Sequence, residues 1–543
     1  FNPAQSKESV FGLMGRIYKN LWSYSNNKAN VLLSAETYNE GFKKFNSYYL
    51  GINAATMFAV NGDIEQSTSI AKKVIEMCSK ETPNYWVTAT LTEAYLLIGD
   101  LGESLAFGEK SMALPDISKG EINSTFQQFK MLSKYIDVPS ELTALFSPPG
   151  IVTFSGHMID HPNRPSSRFP SSIEGAIKDQ IVLELDKINA QIGYSSAACG
   201  SDILFIEAML EREAEVHIIL PFAKKDFVLT SVAFAGEEWV TRFESVLSKA
   251  SSVNYATEQD YFGEDGLFNY TNTLIQGQSL LRAKMFATKP YFLAVTSENS
   301  KGNDVGGTQH FVENFEGSKQ TIIINPQEFI GDKLNDSKGD ITSKWNEEFQ
   351  HDIKSVGRSI PEGMAREVKS VLFADVVGFS KIPEYQKPYF LKDFMDLLSA
   401  RIKGLDFEPE VLNSWGDAIF FVGKNTQQAT QFAFMLKEMV LETNWAEKNL
   451  PSDLNIRIAL HAGPVFIGKD PVLNRENAYG ANVNRAARIE PVTIPGQIYA
   501  SDQFTANLLV ETKNLYQFEY VGNLELPKAF GNQDLYNIKK RVN

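Results

Sequence analysis

The chain has 543 residues, too many for one hydrophobic core, so about three domains are expected. At 43% hydrophobic and 22% charged residues, it is ordinary globular material rather than disorder. A net charge of −14 argues against a broad nucleic-acid surface, which needs clustered Lys and Arg, but leaves room for a small basic pocket.

Residues 1–147 read as helices, with apolar residues recurring at three and four in GLMGRIYKNLW (12–22). Two segments look alike, 53–77 and 90–114. Their Gly62-Asp63 and Gly99-Asp100 turns lie 37 residues apart, close to the period of a tetratricopeptide-type helical repeat. Such a stack serves either as a docking surface for a protein partner or as a packing layer. The stretch 1–60 also resembles the repeat region beside the kinase of apoptosis signal-regulating kinases, which implies regulation.

Residues 148–330 alternate strand and helix. IVTFSGH (151–157), EVHIILPF (215–222), KPYFLAV (289–295) and QTIIINP (320–326) read as apolar strands, and 171–189 as an amphipathic helix. A helix opens after Gly200. This is an α/β pattern with a mostly parallel sheet. Gly156, Gly200, Ser201 and Asp202 stand where a strand–glycine turn and a helix start would take an anionic small-molecule ligand, or serve only as turns and an N-cap. The segment resembles Rossmann-like folds related to lysine-decarboxylase-like proteins, which implies a sensor domain. His157 and His161 are four apart in a loop and lack the four-ligand spacing of structural zinc. Residues 331–365 are polar and charged and read as a linker.

The last segment, 366–543, carries the chemistry. In SVLFADVVGFS (370–380), Asp375 interrupts an apolar strand, and a buried carboxylate is costly unless it is paired or holds a metal. Gly378 permits close approach of a ligand, with Phe379 and Ser380 following. EVLNSW (410–415) and AIFFVG (418–423) join through Gly416-Asp417 as a hairpin. If the hairpin flanks the first strand, Asp417 lies near Asp375, and a carboxylate pair suits two-metal phosphoryl chemistry. In NAYGANVNRAARIEP (477–491), Asn484 and Arg488 share a helix face and can hold ribose and phosphate oxygens.

FADVVGFS, NSWGDAIFF, RIALHAGPVFIG and YGANVNRAAR occur in this order, and together they are similar to class III adenylyl and guanylyl cyclases. The resemblance implies an α+β, ferredoxin-like palm domain. It implies two Mg²⁺ or Mn²⁺ ions on Asp375 and Asp417 with the Val376 carbonyl assisting, and phosphates cradled by the backbone of 376–380. It further implies that Asn484 orients the ribose, Arg488 stabilises the transferring phosphate, and Lys528 in LELPKAFG (524–531) meets the triphosphate. Each site is then shared between two chains of a homodimer. At the base-reading positions the family's adenylyl members carry Lys with Asp or Thr, and its guanylyl members Glu with Cys; this chain has Asn413 and Asn477. An amide both donates and accepts, so ATP is favoured, with GTP or a pyrimidine triphosphate as alternatives.

The two distant cysteines, Cys78 and Cys199, make no disulfide framework and fit a reducing, cytoplasmic location. No apolar run approaches the length of a membrane span. The chain begins at Phe1 rather than Met, so an upstream segment stays open.

Overall fold

The computed structural model describes residues 7–161, 167–264, 266–296, 320–330, 359–472, 474–513 and 515–541. Most of the predicted linker, 331–358, therefore lies outside the described residues. The chain divides into two compact units, Phe1–Pro149 and Gly150–Asn543.

The first unit is helical: α1 (Glu8–Ser25), α2 (Lys28–Phe45), α3 (Tyr48–Asn61), α4 (Ile64–Cys78), α5 (Tyr85–Ile98), α6 (Leu101–Met112), α7 (Lys119–Leu132) and α8 (Ser140–Leu145). The repeat is plain in the turns. Gly62 ends α3 at φ 89° and Gly99 ends α5 at φ 83°, a left-handed conformation that glycine adopts without Cβ strain. The next residue in each case, Asp63 or Asp100, caps the following helix by accepting from the N–H of Gln66 or Glu103. So α3–α4 and α5–α6 are equivalent hairpins, with Phe11, Tyr38, Leu50 and Phe129 in the core. Within it Glu93 is buried and accepts from Thr56 and Gln128, tying α5 to α3 and α7. Burial pushes the Glu93 carboxyl above its ordinary value, against those two hydrogen bonds.

The second unit opens with β1 (Gly150–Gly156), α9 (Glu174–Lys187), β2 (Ala190–Ser195), α10 (Ser201–Glu211), β3 (Glu215–Leu220), α11 (Lys224–Ser231), α12 (Glu237–Lys249), β4 (Ser252–Tyr255), α13 (Gly266–Met285), β5 (Tyr291–Val295) and β6 (Thr321–Ile324). All pairings are parallel, in the order β4-β3-β2-β1-β5-β6, a doubly wound sheet whose strand order reverses beside β1. Alternate residues serve opposite faces. Val152, Phe154, Ile218 and Leu293 pack with α9, α10 and α12, while Ile151, Ile192, Ile219 and Phe292 pack with α13.

After 358 the chain forms β7 (Met364–Val377), α14 (Met395–Lys403), β8 (Val411–Trp415), β9 (Ala418–Gly423), α15 (Thr426–Glu442), β10 (Asn455–Asp470), β11 (Arg475–Tyr479), α16 (Ala481–Ile489), β12 (Ile498–Ser501), α17 (Asp502–Thr512), β13 (Tyr516–Glu525) and β14 (Asn532–Lys540). The sheet order is β13-β14-β12-β10-β7-β9-β8, with β11 paired to β10. Strand β7 thus begins inside the range read as linker. Leu372, Ala374, Phe421 and Ile458 face α15 and α17; Val371, Phe420, Val422 and Val465 face α16.

The two sheets are not separate bodies. Helix α13 crosses α17 so closely that a Cβ on Gly277 would stand 2.2 Å from the Ala506 carbonyl oxygen. Leu274, Ile275, Ala506 and Leu509 share one apolar cluster. Arg366, 6% exposed, leaves β7 to donate to the Asp260 carbonyl and pair with Glu264, against the rings of Phe262 and Phe466. Separating the sheets would expose Leu274, Ile275 and Leu509, at about 1.5–3 kcal/mol each.

Candidate active site

Asp375 sits near the C-terminal end of β7, in the middle of the sheet. Its registered neighbours are Ala418 on β9 and Arg457 on β10. The β8–β9 turn is closed by Gly416 at φ 68°, which places Asp417 one residue before Ala418. The two carboxyl groups come within hydrogen-bonding reach of each other. Burial, then the Asp417 charge, pushes the Asp375 carboxyl above its ordinary value, while Arg457 opposes the shift. A carboxylate pair holding each other's charge in this way fits a divalent cation. Asp375 and Asp417 offer hard oxygen donors of the kind Mg²⁺ and Mn²⁺ take, and the Val376 backbone lies beside them. Among the described residues no group of three or more His, Cys, Asp or Glu is placed to hold a metal ion. Further ligands would be carbonyls, waters and the oxygens of a substrate.

The segment after β7 turns at once. Gly378, at φ 85°, and Ser380 are exposed, and Phe379 packs on Phe390. The Phe379 ring also lies 3.9 Å from where a Gly416 Cβ would be, so the phosphate-cradle candidate and the hairpin turn adjoin.

Asn413 and Asn477 are 64 residues apart in sequence but meet across β8 and β11, Asn413 Nδ2 donating to Asn477 Oδ1 at 3.3 Å. Asn477 in turn donates to Asp470, which also accepts from the Tyr479 hydroxyl at 2.9 Å. Asn413 is 2% exposed and its Oδ1 is buried with no partner. A buried acceptor left open is costly, and a donor from a bound ring would satisfy it.

Asn484 is exposed on α16, one turn before Arg488. The Arg488 guanidinium lies 5.9 Å from the Phe530 ring centre, and its Nε is buried without a partner. Lys528 is exposed on the same β13–β14 turn as Phe530, at φ 61°. The charges acting most on Asp375 within the chain are Asp417 and Arg457.

Four contributors went unnoticed in the sequence. Arg457 and Glu490 pair at 3.5 Å beside the carboxylates. Burial, then Asp375, pushes Glu490 up to about 7, while Arg457 opposes. Asp470 holds Asn477, and Phe530 underlies Arg488. Arg457 and Glu490 stood within motifs already singled out, but only strand register brings them to Asp375.

In the doubly wound sheet, Gly156, Gly200, Ser201 and Asp202 come together at the C-terminal end of β1. The protein itself occupies the close approach there. A Cβ on Gly156 would meet Ser201 Oγ at 2.1 Å, and one on Gly200 would meet the Ile159 backbone nitrogen at 2.5 Å. Ser201 Oγ donates to the His157 carbonyl. Asp202 accepts from the Ala198 N–H at 3.3 Å. Burial pushes Asp202 up to about 7. Its folded value thus exceeds the ordinary 3.8, so the folded chain binds more protons between about pH 4 and 7. This group's contribution to stability is therefore best below pH 4 and falls as pH rises to 7, by a cost on the order of 4 kcal/mol. Asp202→Asn should flatten that fall. Thermal unfolding at pH 5 and 8 should show the variant gaining on the parent chain by several degrees at the higher pH. An equal pH dependence in both would show that Asp202 ionises freely.

The fold and this site define a class, a palm-like sheet with a carboxylate pair at its centre and an amide–guanidinium helix beside it. Residues 364–540 match the family described as adenylate and guanylate cyclase catalytic domain, and residues 2–58 match tetratricopeptide repeats-sensor. The C-terminal segment is thus a cyclase catalytic domain by family, and the N-terminal helices include sensor-type repeats. A putative serine/threonine-protein kinase/receptor of Acanthamoeba polyphaga mimivirus is 26% identical over 196 residues, 32% of this chain and 12% of that protein. Guanylate cyclase 2G of Rattus norvegicus is 30% identical over 154 residues, 26% of this chain and 14% of that protein. The chain therefore spans only a small part of these curated relatives. Among solved structures, the guanylate cyclase domain of RhGC from Catenaria anguillulae in complex with GTP is 25% identical, with a TM-score of 0.29, covering 33% of this chain and all of that one. The adenylyl cyclase CyaB from P. aeruginosa is 17% identical, with a TM-score of 0.29, covering 33% of this chain and 97% of that one. Among the described residues no helix is long and apolar enough to cross a membrane.

Proposed function

We propose that this chain is a nucleotidyl cyclase that converts a nucleoside triphosphate, ATP by preference, to the 3′,5′-cyclic monophosphate and pyrophosphate. The observation that supports it most is the adjoining pair Asp375 and Asp417. They would hold two Mg²⁺ or Mn²⁺ ions, with the Val376 carbonyl assisting. Such ions, when bound, lower the pKa of the ribose 3′-hydroxyl and offset charge on the phosphates. The backbone of 376–380, including Gly378, Phe379 and Ser380, receives the β- and γ-phosphates. Asn484 holds the ribose so that the 3′-oxygen lies in line with the α-phosphorus. Arg488 carries charge building on the α-phosphate, its guanidinium kept on the Phe530 ring. Lys528, on the neighbouring turn, reaches the triphosphate.

Base choice rests on Asn413. One N–H of its amide goes to Asn477 and its oxygen is left as an open acceptor, for which the exocyclic amine of adenine is a matching donor. The pocket is completed by a second copy of the chain, with Asn484 and Arg488 of one protomer meeting the carboxylates of the other. The helical repeats dock a protein partner, in a cytoplasmic setting.

Incubation with each of the four ribonucleoside triphosphates and Mn²⁺, followed by product separation, tests the reading. Cyclic AMP should dominate. Cyclic GMP or a cyclic pyrimidine nucleotide would overturn the base assignment. No cyclic product at all would leave a nucleotide-binding pseudoenzyme, the second reading, which the open acceptor on Asn413 also supports.

A further inference from the structure

Helix α16 has two working faces. Asn484 and Arg488, four apart, lie on one; Asn482 lies on another, and Arg485, three residues from both Asn482 and Arg488, borders the two and turns to Gln533. Asn482 and Arg485 are both tied to α13 of the doubly wound sheet.

The first tie starts at Tyr270, 5% exposed, whose hydroxyl donates to the Ala462 carbonyl at 2.8 Å. The next residue back on β10, His461, is fully buried. It contacts Ser501 Oγ at 2.8 Å through Nδ1 and Asn482 Oδ1 at 3.0 Å through Nε2. Asn482 Nδ2 donates to the Pro464 carbonyl, so its Oδ1 is the acceptor and His461 Nε2 carries the proton. Ser501 then donates to Nδ1. The ring is neutral and locked in one tautomer, and burial pushes its pKa down to about 3.

The second tie is a chain of side chains. Gln278 Nε2 on α13 donates to Asp502 Oδ2 at 3.2 Å, and Gln533 Nε2 donates to Asp502 Oδ1 at 2.5 Å. Gln533 Oε1 then accepts from Arg485 Nη1 at 2.7 Å. Every link has a single sense. Ionised, Asp502 can only accept, so Gln533 must turn its amide nitrogen to Asp502, and its oxygen is thereby left for Arg485. These four residues also line a polar cavity of about 320 Å³ between the two sheets.

We propose that α13 sets the placement of Asn484 and Arg488 through these two ties, making Arg485, Gln533 and Asp502 positioning residues for the reaction and Gln278 the point where the doubly wound sheet acts on it. The proposal rests on the cyclase reading for its effect on rate, but the mechanical link stands apart from it. Asn484 and Arg488 act by orientation, and a misplacement of about 1 Å can cost about 100-fold in rate. Loosening the second face of α16 therefore lowers turnover and leaves ground-state nucleotide binding alone.

The full chain carrying Gln278→Leu is the test. Its kcat should fall about tenfold with KM for the nucleotide changed less than about twofold, the mark of lost orientation rather than lost binding. Amide hydrogen exchange in 481–489 should rise. Gln533→Leu should do the same, and the double variant should be no worse than either single one by more than about twofold, because one relay breaks only once. Asn507→Ala, further along α17 and outside that cavity, should match the parent. Unchanged exchange in 481–489 for both single variants overturns the proposal, as do losses that multiply. Should the parent chain make no cyclic product, the catalytic reading fails, and the exchange measurement still decides the link.

Discussion

Asp375→Ala or Asp417→Ala should lower turnover at least ~10³-fold, the scale expected when ions that stabilise several kcal/mol of transition-state charge lose half of their anchoring carboxylates. The loss should not come from unfolding. Asp375 lies half-buried at the end of a strand whose other residues hold the sheet, and Asp417 lies on the hairpin turn. Each carboxyl is held against a like-charged neighbour. Removing one relieves that repulsion, so the melting temperature should hold or rise while activity disappears. Activity above about a tenth of the parent's in either variant, measured with Mn²⁺ at saturating nucleotide, would refute the metal assignment.

The second large effect is a recovery. Asp417→Ala and Arg488→Ala should each be nearly inactive alone, yet a mixture should regain about a quarter of parental activity, by counting sites in a two-fold dimer. Under random pairing half of the dimers are mixed. Each mixed dimer has one site with both lesions and one with none. Within one chain the Arg488 guanidinium rests on Phe530, and the charges acting most on Asp375 are Asp417 and Arg457. Asn484 faces solvent, and Trp415 at the hairpin tip is 53% exposed, an uncommon setting for tryptophan unless a partner covers it. If freely exchanging chains stay inactive when mixed, the site is not shared.

What the sequence showed and what it hid divides along a physical line. The Gly62-Asp63 and Gly99-Asp100 turns were legible because a left-handed glycine followed by a capping aspartate is local chemistry. Asp375 and the Gly416-Asp417 hairpin were legible because a charge in an apolar run and a tight turn each have a local cost. The strand Ala190–Ser195 was not, since Gln191 and Gly193 blur its pattern. Nor were Arg457 and Glu490, whose roles come from register across β7 and β10. The shared core of the two sheets was least legible. Gly277 meeting Ala506, and Arg366 leaving its strand for Asp260, join residues more than a hundred positions apart, and no periodicity announces such a pairing.

The buried bond between Thr56 and Glu93 spans 37 positions, one full repeat. The two residues are therefore the same site in successive copies, filled first by a hydroxyl and then by a carboxyl. That bond gives the array a direction. A hydroxyl can hand a proton to the copy after it, whereas an ionised carboxylate can only receive. Glu93 receives from the copy before it and from Gln128 beyond, which closes the series. Repeat arrays commonly grow and shrink by duplication, because each unit presents the same surfaces to its neighbours. Here an extra unit carrying Glu at this site would set carboxylate against carboxylate, whereas one carrying Thr would receive from the copy before it and donate to the copy after it. The order of the two copies is thereby set by a single polar contact, and the stack tolerates a further copy at this point only where that copy brings a hydroxyl.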